Sequence, residues 1–318
     1  MSTRRILPYL SLAFLTVLLL GLPISSQHAR TRQSTDTVLV AGRNVNMVSG
    51  TELPGGDPWL QRQNEPSVAV STRNPLHLLA GANDYRTVDM AFSEGSLPGK
   101  AQGAMAGDAW VGVYKSFDGG ESWTSDLIPG FPQDNSAVGA ASPLKSFSTA
   151  ADPIVRAGTN GLFYYSGMAF NRAQEKGGGS IFLTRFIDNN NVETGDSIKY
   201  LDTKVIDLGA SGQFIDMPRI AVDMPRGAGN VTIDGQSIPK SNVYCVYTVF
   251  LGNTSTNIRS KITFRRSTDC GVTWSPALRI SESQHINQGA TIAIDPSSGA
   301  VYVAFRRFLS QCCLHCLG

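Results

Sequence analysis

Short apolar runs separated by turn residues recur along the chain and predict paired β-strands. Each unit consists of an apolar strand, a turn and a second apolar strand. Four segments follow this plan, beginning at Glu65, Asp152, Met217 and Gly289. Repetition of this kind is typical of blades, here spaced more widely than the usual roughly 40 to 50 residues. The pattern predicts an all-β protein of about four blades of antiparallel strands.

A second repeat falls inside the first. Residues 116–123 and 267–274 both read S-x-D-x-G-x-[ST]-W, and each copy follows an apolar strand. Asp can accept hydrogen bonds from the N–H groups of a turn, Gly supplies positive φ, and Trp can pack its ring on the sheet. These residues are therefore predicted to build hairpin turns rather than to react. They are Ser116, Asp118, Gly120, Trp123, Ser267, Asp269, Gly271 and Trp274.

The motif resembles the Asp-box, or bacterial neuraminidase repeat, of the sialidase superfamily of β-propellers. The resemblance covers roughly residues 60 to 307. It implies an incomplete sialidase-like β-propeller, and activity less firmly, because Asp-boxes also occur in propellers that only bind. Residues 180–191 look like the corresponding hairpin with its motif eroded. The oxygen-rich stretch 188–196 lacks the ligand order of an EF-hand, so a solvated turn is expected there.

Composition and charge narrow the functional classes. Hydrophobic residues make up 42% of the 318 residues and charged residues 16%, which excludes charge-driven disorder. The formal net charge is +2 and no long basic run occurs, so no nucleic-acid partner is expected. The five cysteines form no disulfide framework. The Cys-rich end lacks the two separated ligand pairs of a zinc site, and neither a metal nor another cofactor is expected.

The first residues read as a targeting segment. Arg4 and Arg5 precede an apolar stretch from Ile6 to Ile24, and small polar residues follow. This order is typical of a cleaved secretory signal peptide, predicted over 1–29. An uncleaved anchor is the alternative, because the stretch nearly reaches the ~20 residues that span a bilayer. Pro8 and Pro23 shorten the usable helix, so a secreted or periplasmic protein without a stable membrane span is expected.

The remaining boundaries follow from the repeat. A polar N-terminal lead is predicted over 30–60, and the blades over 61–307. The end of the chain, 308–318, runs without a turn from a regular strand into an apolar, Cys-rich tail. This aberrant tail indicates a truncated or frame-disrupted propeller.

Carboxylates lie at or beside the starts of three units. The first strand of each propeller blade lines the central channel, so Glu65, Asp152 and Asp216 are predicted to converge at one mouth. Converging carboxylates can perform acid–base chemistry on a glycosidic bond. They can equally cap backbone turns at the strand starts.

The resemblance implies a Tyr–Glu pair, an Asp acid/base and three arginines that hold the carboxylate of the sugar. The family's first arginine stands in an Arg-Ile-Pro motif, where this chain has Asn64, Glu65 and Pro66. Arg62 lies two residues before Asn64. The acid/base often stands in Asp-x-Arg after the next strand, which corresponds to Asp84 and Arg86. The tyrosine and the last arginine belong to blades that this chain does not show.

Two functions remain open from the sequence. The resemblance implies an exo-acting glycoside hydrolase that releases a terminal acidic sugar, such as sialic acid, from a glycan or glycoconjugate. Its catalytic residues would be Asp84 and Glu65, and Arg86 and Arg62 would bind the substrate. Truncation would make such an enzyme inactive. The alternative is a non-catalytic secreted propeller that binds a glycan or a protein, since the Arg-Ile-Pro arginine is missing and the second motif is eroded.

Overall fold

The computed structural model describes residues 42–90, 105–106, 108–171, 179–191, 196–252, 257–282 and 285–308. Residues from Asn44 onward form one unit, and the preceding unit is described only at residues 42 and 43. The predicted signal peptide, most of the polar lead and residues 309–318 of the predicted tail lie outside the described residues. In the part that is described, no helix is long and apolar enough to cross a membrane.

The first four-stranded antiparallel sheet is blade 1. Its strands are β1 (Gln63–Val70), β2 (Leu78–Asp84), β5 (Trp110–Ser116) and β6 (Thr124–Leu127), in that order. A two-residue pair, β3 (Asp89–Met90) and β4 (Met105–Ala106), lies in the connection between β2 and β5. A short helix, α1 (Ala137–Ala141), follows the blade, and the Ser136 hydroxyl caps it by accepting from the N–H of Gly139.

The next two sheets repeat this plan, and a hairpin begins a fourth. Blade 2 contains β7 (Thr149–Ala157), β8 (Leu162–Phe170), β9 (Ser180–Asp188) and β10 (Ile198–Leu208), with a 3₁₀ turn (Thr159–Gly161) between β7 and β8. Blade 3 contains β11 (Gln213–Val222), β14 (Val243–Leu251), β15 (Arg259–Ser267) and β16 (Leu278–Arg279), with a hairpin of β12 (Asn230–Ile233) and β13 (Gln236–Pro239) inserted after β11. The last hairpin is β17 (Ile286–Ile294) and β18 (Val301–Phe308).

The sheets fan around their first strands. β1 contacts β7, β7 contacts β11, and β11 contacts β17. Separate apolar cores fill the spaces between successive blades, with Trp110 and Phe163 between blades 1 and 2 and Tyr164 and Tyr247 between blades 2 and 3. The predicted fold is confirmed as an incomplete β-propeller. Three blades are complete, whereas the fourth has only its first two strands in the described chain.

Each innermost strand contains a β-bulge at the same place. Register slips occur in β1, β7, β11 and β17, where two consecutive residues oppose a single residue of the partner strand. The first residue of every bulge has a left-handed backbone, with φ of 54° at Glu65, 56° at Asp152, 52° at Met217 and 66° at Gly289. These are the four residues at which the repeat begins in the sequence. Because a bulge re-aims side chains, this ring of bulges determines what faces the centre.

The two S-x-D-x-G-x-[ST]-W segments form matching turns between the third and fourth strands of blades 1 and 3. In the first, the Ser116 hydroxyl donates to Asp118 Oδ1 (2.8 Å) and accepts from the N–H of Gly120 (2.8 Å), and the N–H of Ser122 donates to Asp118 Oδ1 (2.9 Å). Hydrogen bonds from Ser122 and Ser116 lower the pKa of Asp118 to about 2. Its carboxylate is therefore fixed as an acceptor within the turn.

The turn of blade 3 repeats these contacts. The hydroxyl of Ser267 donates to Asp269 Oδ1 (2.7 Å) and accepts from the N–H of Gly271 (2.9 Å). The N–H of Thr273 donates to Asp269 Oδ1 (2.8 Å). Trp123 Nε1 donates to the carbonyl of Gly120 (3.0 Å), whereas Trp274 packs against the core between blades 2 and 3.

The corresponding turn of blade 2 corrects one expectation. Asp188 ends β9 and is fully buried rather than part of a solvated turn. It accepts a hydrogen bond from the Ser71 hydroxyl (2.5 Å), and His77 Nδ1 lies 3.0 Å from its other oxygen. Ser71 and His77 belong to the turn between β1 and β2, so Asp188 links blade 2 to blade 1 where the motif is eroded.

Candidate functional site

Three carboxyl groups meet where the inner strands of three blades come together. Glu65 lies on β1, Asp152 on β7 and Asp216 on β11, and the carboxyl of Asp152 hydrogen-bonds both neighbours. Glu65 is exposed, whereas Asp152 and Asp216 are half-buried. The structure thus brings together the carboxylates that the sequence placed at the strand starts. We call these three residues the carboxyl cluster.

Burial and neighbouring carboxyl groups raise the pKa values of Asp152 and Asp216. Burial, the charges of Asp216 and Glu65, and the hydrogen bond to Glu65 raise the pKa of Asp152 to about 7. Burial also raises the pKa of Asp216. Asp152 therefore holds its proton to a much higher pH than an ordinary aspartate, within hydrogen-bonding reach of two other carboxyl groups.

Two arginines lie beside the cluster. Arg219 on β11 interacts with Asp152 and Asp216, and its positive charge opposes the rise in their pKa values. Arg156 on β7 keeps an accessible side chain, and its partial desolvation, together with the charge of Arg219, lowers its pKa. Each guanidinium donates to a carbonyl of its own strand at 2.9 Å, Arg156 to Val155 and Arg219 to Pro218. Neither arginine was among the site residues predicted from the sequence.

Asp84 and Arg86 form an ion pair inside blade 1. Neither side chain has any exposed surface. Asp84 Oδ2 accepts from Arg86 Nη2 (2.6 Å) and from the hydroxyl of Tyr114 (2.6 Å). Arg86 Nη1 also donates to the carbonyls of Pro54 (2.6 Å) and Gly55 (3.0 Å). Burial and the neighbouring Asp84 raise the pKa of Tyr114 well above its ordinary value.

This geometry gives Asp84 and Arg86 an internal role that the polar sequence did not indicate. Each holds parts of blade 1 together, and neither presents a free atom to a ligand in this conformation. Asp84 contacts the inner strand through Gln63, whose Nε2 lies 3.4 Å from Asp84 Oδ1. The roles of Asp84 as acid/base and of Arg86 in substrate binding stay predictions.

Arg62 and Trp59 have exposed side chains, whereas Trp110 is buried. Arg62 is exposed, and its guanidinium lies 4.1 Å from the centre of the Tyr85 ring, a cation–π contact. Its role in substrate binding also stays a prediction. Trp59 is half-exposed, whereas Trp110 is fully buried and donates to the carbonyl of Ile128 at 2.8 Å. Of these two tryptophans, Trp59 is the one whose ring is accessible to a ligand.

A cavity of about 440 Å³ opens between blade 1 and residues 46–48, which precede it in the chain. It lies next to the β1 bulge, since Asn64 and Pro66 line it on either side of Glu65. The rest of the lining is largely apolar and includes Met47, Tyr114 and Trp123. This volume falls within the range of small-molecule sites.

The described residues contain no group of three or more His, Cys, Asp or Glu side chains arranged to hold a metal ion. The Cys-rich segment 312–316 lies outside the described residues.

Several solved structures are similar to this chain at low sequence identity. Trypanosoma rangeli sialidase in complex with sialic acid has 14% identity over 77% of this chain and 34% of its own chain, with a TM-score of 0.40. A leech intramolecular trans-sialidase complexed with 2,7-anhydro-Neu5Ac has 10% identity over 84% and 50%, with a TM-score of 0.37. A Dyadobacter fermentans protein of unknown function has 15% identity over 78% and 62%, with a TM-score of 0.38.

The chain spans between about a third and three fifths of the lengths of these three proteins. No protein-family model and no curated protein matches it. The propeller assignment rests on the strand order, the shared inner strands and the cores between blades.

The raised pKa of Asp152 predicts a specific dependence of stability on pH. The folded chain holds this proton up to about pH 7, whereas the ordinary pKa of an aspartate is 3.8. The resulting stabilisation is fully present below the unfolded pKa and is lost as the pH rises through the folded pKa. We expect the free energy of unfolding to fall from pH 4 to pH 7.5 more steeply in the wild type than in Asp152→Asn.

Urea denaturation at a series of pH values measures this difference. Asp234→Asn is a matched control, because Asp234 pairs with Lys199 at the surface and its pKa is lowered, which places its effect below pH 4. The control is expected to keep the wild-type slope. Equal slopes for Asp152→Asn and the wild type would show that Asp152 titrates like an ordinary aspartate.

Proposed function

We propose that this chain is the propeller portion of a glycoside hydrolase that removes a terminal acidic sugar, such as sialic acid, from a glycan or glycoconjugate. The carboxyl cluster is the observation that supports this proposal. An acid that holds its proton close to neutral pH, with a second carboxyl group beside it, can serve acid–base cleavage of a glycosidic bond. Asp152 is assigned the acid role and Glu65 the base role.

Three arginines are proposed to bind the carboxylate of the acidic sugar. A guanidinium can bind a sugar carboxylate through two parallel hydrogen bonds. Arg156 and Arg219 lie on the same inner strands as Asp152 and Asp216. Arg62 lies three residues before Glu65 and has an exposed side chain. These three arginines are assigned to the sugar carboxylate. Export through the predicted signal peptide at 1–29 belongs to the proposal, since the substrates are expected outside the cell.

Release of a fluorescent aglycone tests this function. The purified full chain is incubated between pH 5 and pH 8 with a 4-methylumbelliferyl sialoside and, as the matched neutral substrate, the corresponding galactoside. The proposal expects release from the sialoside and little from the galactoside. Release from the galactoside alone contradicts the acidic-sugar assignment, and release from neither contradicts hydrolysis by this chain.

A non-catalytic glycan-binding propeller is the second candidate. The cavity beside the β1 bulge favours it, because Trp123 contributes aromatic surface and Asn64 a side-chain amide there. Saturable binding to a glycan array without release of the aglycone supports this candidate. Loss of that binding in Trp123→Ala, with binding kept in Trp59→Ala, places it in the cavity. A blank array contradicts it.

A further inference from the structure

The β7 bulge leaves backbone N–H groups that its own sheet does not use. The register jumps from Ala151 opposite Met168 to Ile154 opposite Ser166, so Asp152 and Pro153 have no ladder partners. Pro153 has no N–H, but that of Asp152 remains, and the residue is held at a φ of 56°. A buried backbone donor needs an acceptor, and a left-handed aspartate is strained unless its surroundings hold it.

Two side chains of blade 1 supply the acceptors. Asn83 Oδ1 on β2 accepts from the N–H of Asp152 at 2.7 Å. The hydroxyl of Ser67 on β1 accepts from the N–H of Val155 at 2.9 Å. Asn83 is buried, with 5% of its surface exposed. The two contacts hold β7 at the first residue of its bulge and at Val155, just after the bulge, and both come from the neighbouring blade.

The other blades do not repeat the Asn83 contact. Asn83 lies opposite the residue that precedes its own bulge, and the corresponding residues are Met168 in blade 2 and Thr248 in blade 3. A methionine thioether is only a weak acceptor. Thr248 is fully buried, and its hydroxyl has no hydrogen-bond partner within the described chain. The bulges of β11 and β17 therefore form without a side-chain amide at the corresponding position of the preceding blade. The Asn83 amide stands next to the bulge that carries Asp152.

We propose that Asn83 and Ser67 are positioning residues, which hold the β7 bulge so that the carboxyl of Asp152 reaches Glu65 and Asp216. The inference builds on the proposed acid role of Asp152 and adds the residues that act through it. The charged groups that face Asp152 are Glu65 from β1 and Asp216 and Arg219 from β11. Loss of the blade 1 contacts lets the bulge move and separates Asp152 from the two carboxylates.

Carbon-detected NMR titration of the Asp152 carboxyl tests the positioning role of Asn83 and Ser67. It needs no substrate, so its result does not depend on whether the chain hydrolyses a glycoside. Asn83→Leu keeps the approximate volume and removes the acceptor. We expect the Asp152 midpoint to fall by about one pH unit toward its ordinary value, since proximity to Glu65 and Asp216 raises it. We also expect hydrogen exchange of the Asp152 amide to accelerate at least about tenfold.

Further variants separate positioning from general loss of structure. Ser67→Ala is the milder substitution and is expected to lower the Asp152 midpoint as well. Ser67→Thr keeps the hydroxyl and should restore the wild-type midpoint. Thr248→Val is the matched control, because it removes a buried hydroxyl at the position corresponding to Asn83 and should leave the midpoint unchanged. An unchanged midpoint in Asn83→Leu and Ser67→Ala overturns the proposal, as does an equal shift in Thr248→Val. If Asn83→Leu does not fold, the Ser67 pair decides.

Discussion

Asp84→Ala is expected to lower the free energy of unfolding by about 3–5 kcal/mol, because it leaves a buried guanidinium without its counter-ion. Arg86 has no exposed surface and could not recover hydration without opening blade 1. The hydroxyl of Tyr114 loses its acceptor in the same substitution. Urea denaturation followed by circular dichroism measures the change.

Lys199→Ala is the control for this substitution. Its ion pair with Asp234 lies at the surface, with 53% of the lysine side chain exposed, and such pairs contribute about 0–1 kcal/mol. Equal stability of the two variants would show that the Asp84–Arg86 pair does not hold blade 1 together. Asp84→Asn, assayed on protein shown to be folded, separately tests the predicted acid/base role of Asp84. Undiminished turnover would remove Asp84 from the reaction.

Asp152→Asn is expected to reduce kcat/KM for the sialoside by about 10²–10⁴-fold, the usual contribution of a positioned general acid. An amide cannot release a proton to the leaving group, although it fills the same space. Glu65→Gln is expected to show a loss of similar size, because it removes the neighbouring base. Aglycone release at saturating and limiting substrate separates kcat from KM.

Asp196→Asn is the matched control for these variants. Asp196 pairs with Lys115 and lies outside the inner strands, so its turnover should equal that of the wild type. Wild-type turnover in Asp152→Asn would exclude the carboxyl cluster from the reaction even if the chain hydrolyses the sialoside.

The sequence predicted the backbone of the site because the relevant signals are local. Apolar strands recur with turns between them, and each of the first three units places a proline after its first bulge residue, at Pro66, Pro153 and Pro218. A proline at this point cannot donate to the ladder, which suits a bulge. The positions of Glu65 and Asp152 at the centre therefore followed from the repeat together with the resemblance to propellers, in which the first strand of each blade lines the channel.

Burial of charged groups could not be predicted in the same way. Asp84 and Arg86 lie in a polar stretch that is typical of a loop, yet Tyr114 reaches Asp84 from a strand 30 residues further along the chain. Asp188 belongs to a stretch rich in asparagine, and its partner Ser71 precedes it by 117 residues. Contacts between elements so far apart in the sequence leave no local pattern.

Asn83 shows the same limit at the site itself. Its side chain is not marked by hydrophobic periodicity, and its function depends on a backbone N–H of another blade. Only the arrangement of β2 beside β7 reveals it. The one sequence signal for Asn83 is that a polar residue stands near the end of the otherwise apolar strand β2.

Titration of the Asp152 carboxyl by NMR, in the wild type and in the variants Glu65→Gln and Asp216→Asn, tests most directly whether three blades join their carboxyl groups at one place. We expect a wild-type midpoint near 7, since burial and two neighbouring charges raise the pKa of Asp152 to about 7. Each variant should lower the midpoint toward the ordinary aspartate value. A midpoint near 4 in all three proteins would show that the groups do not meet.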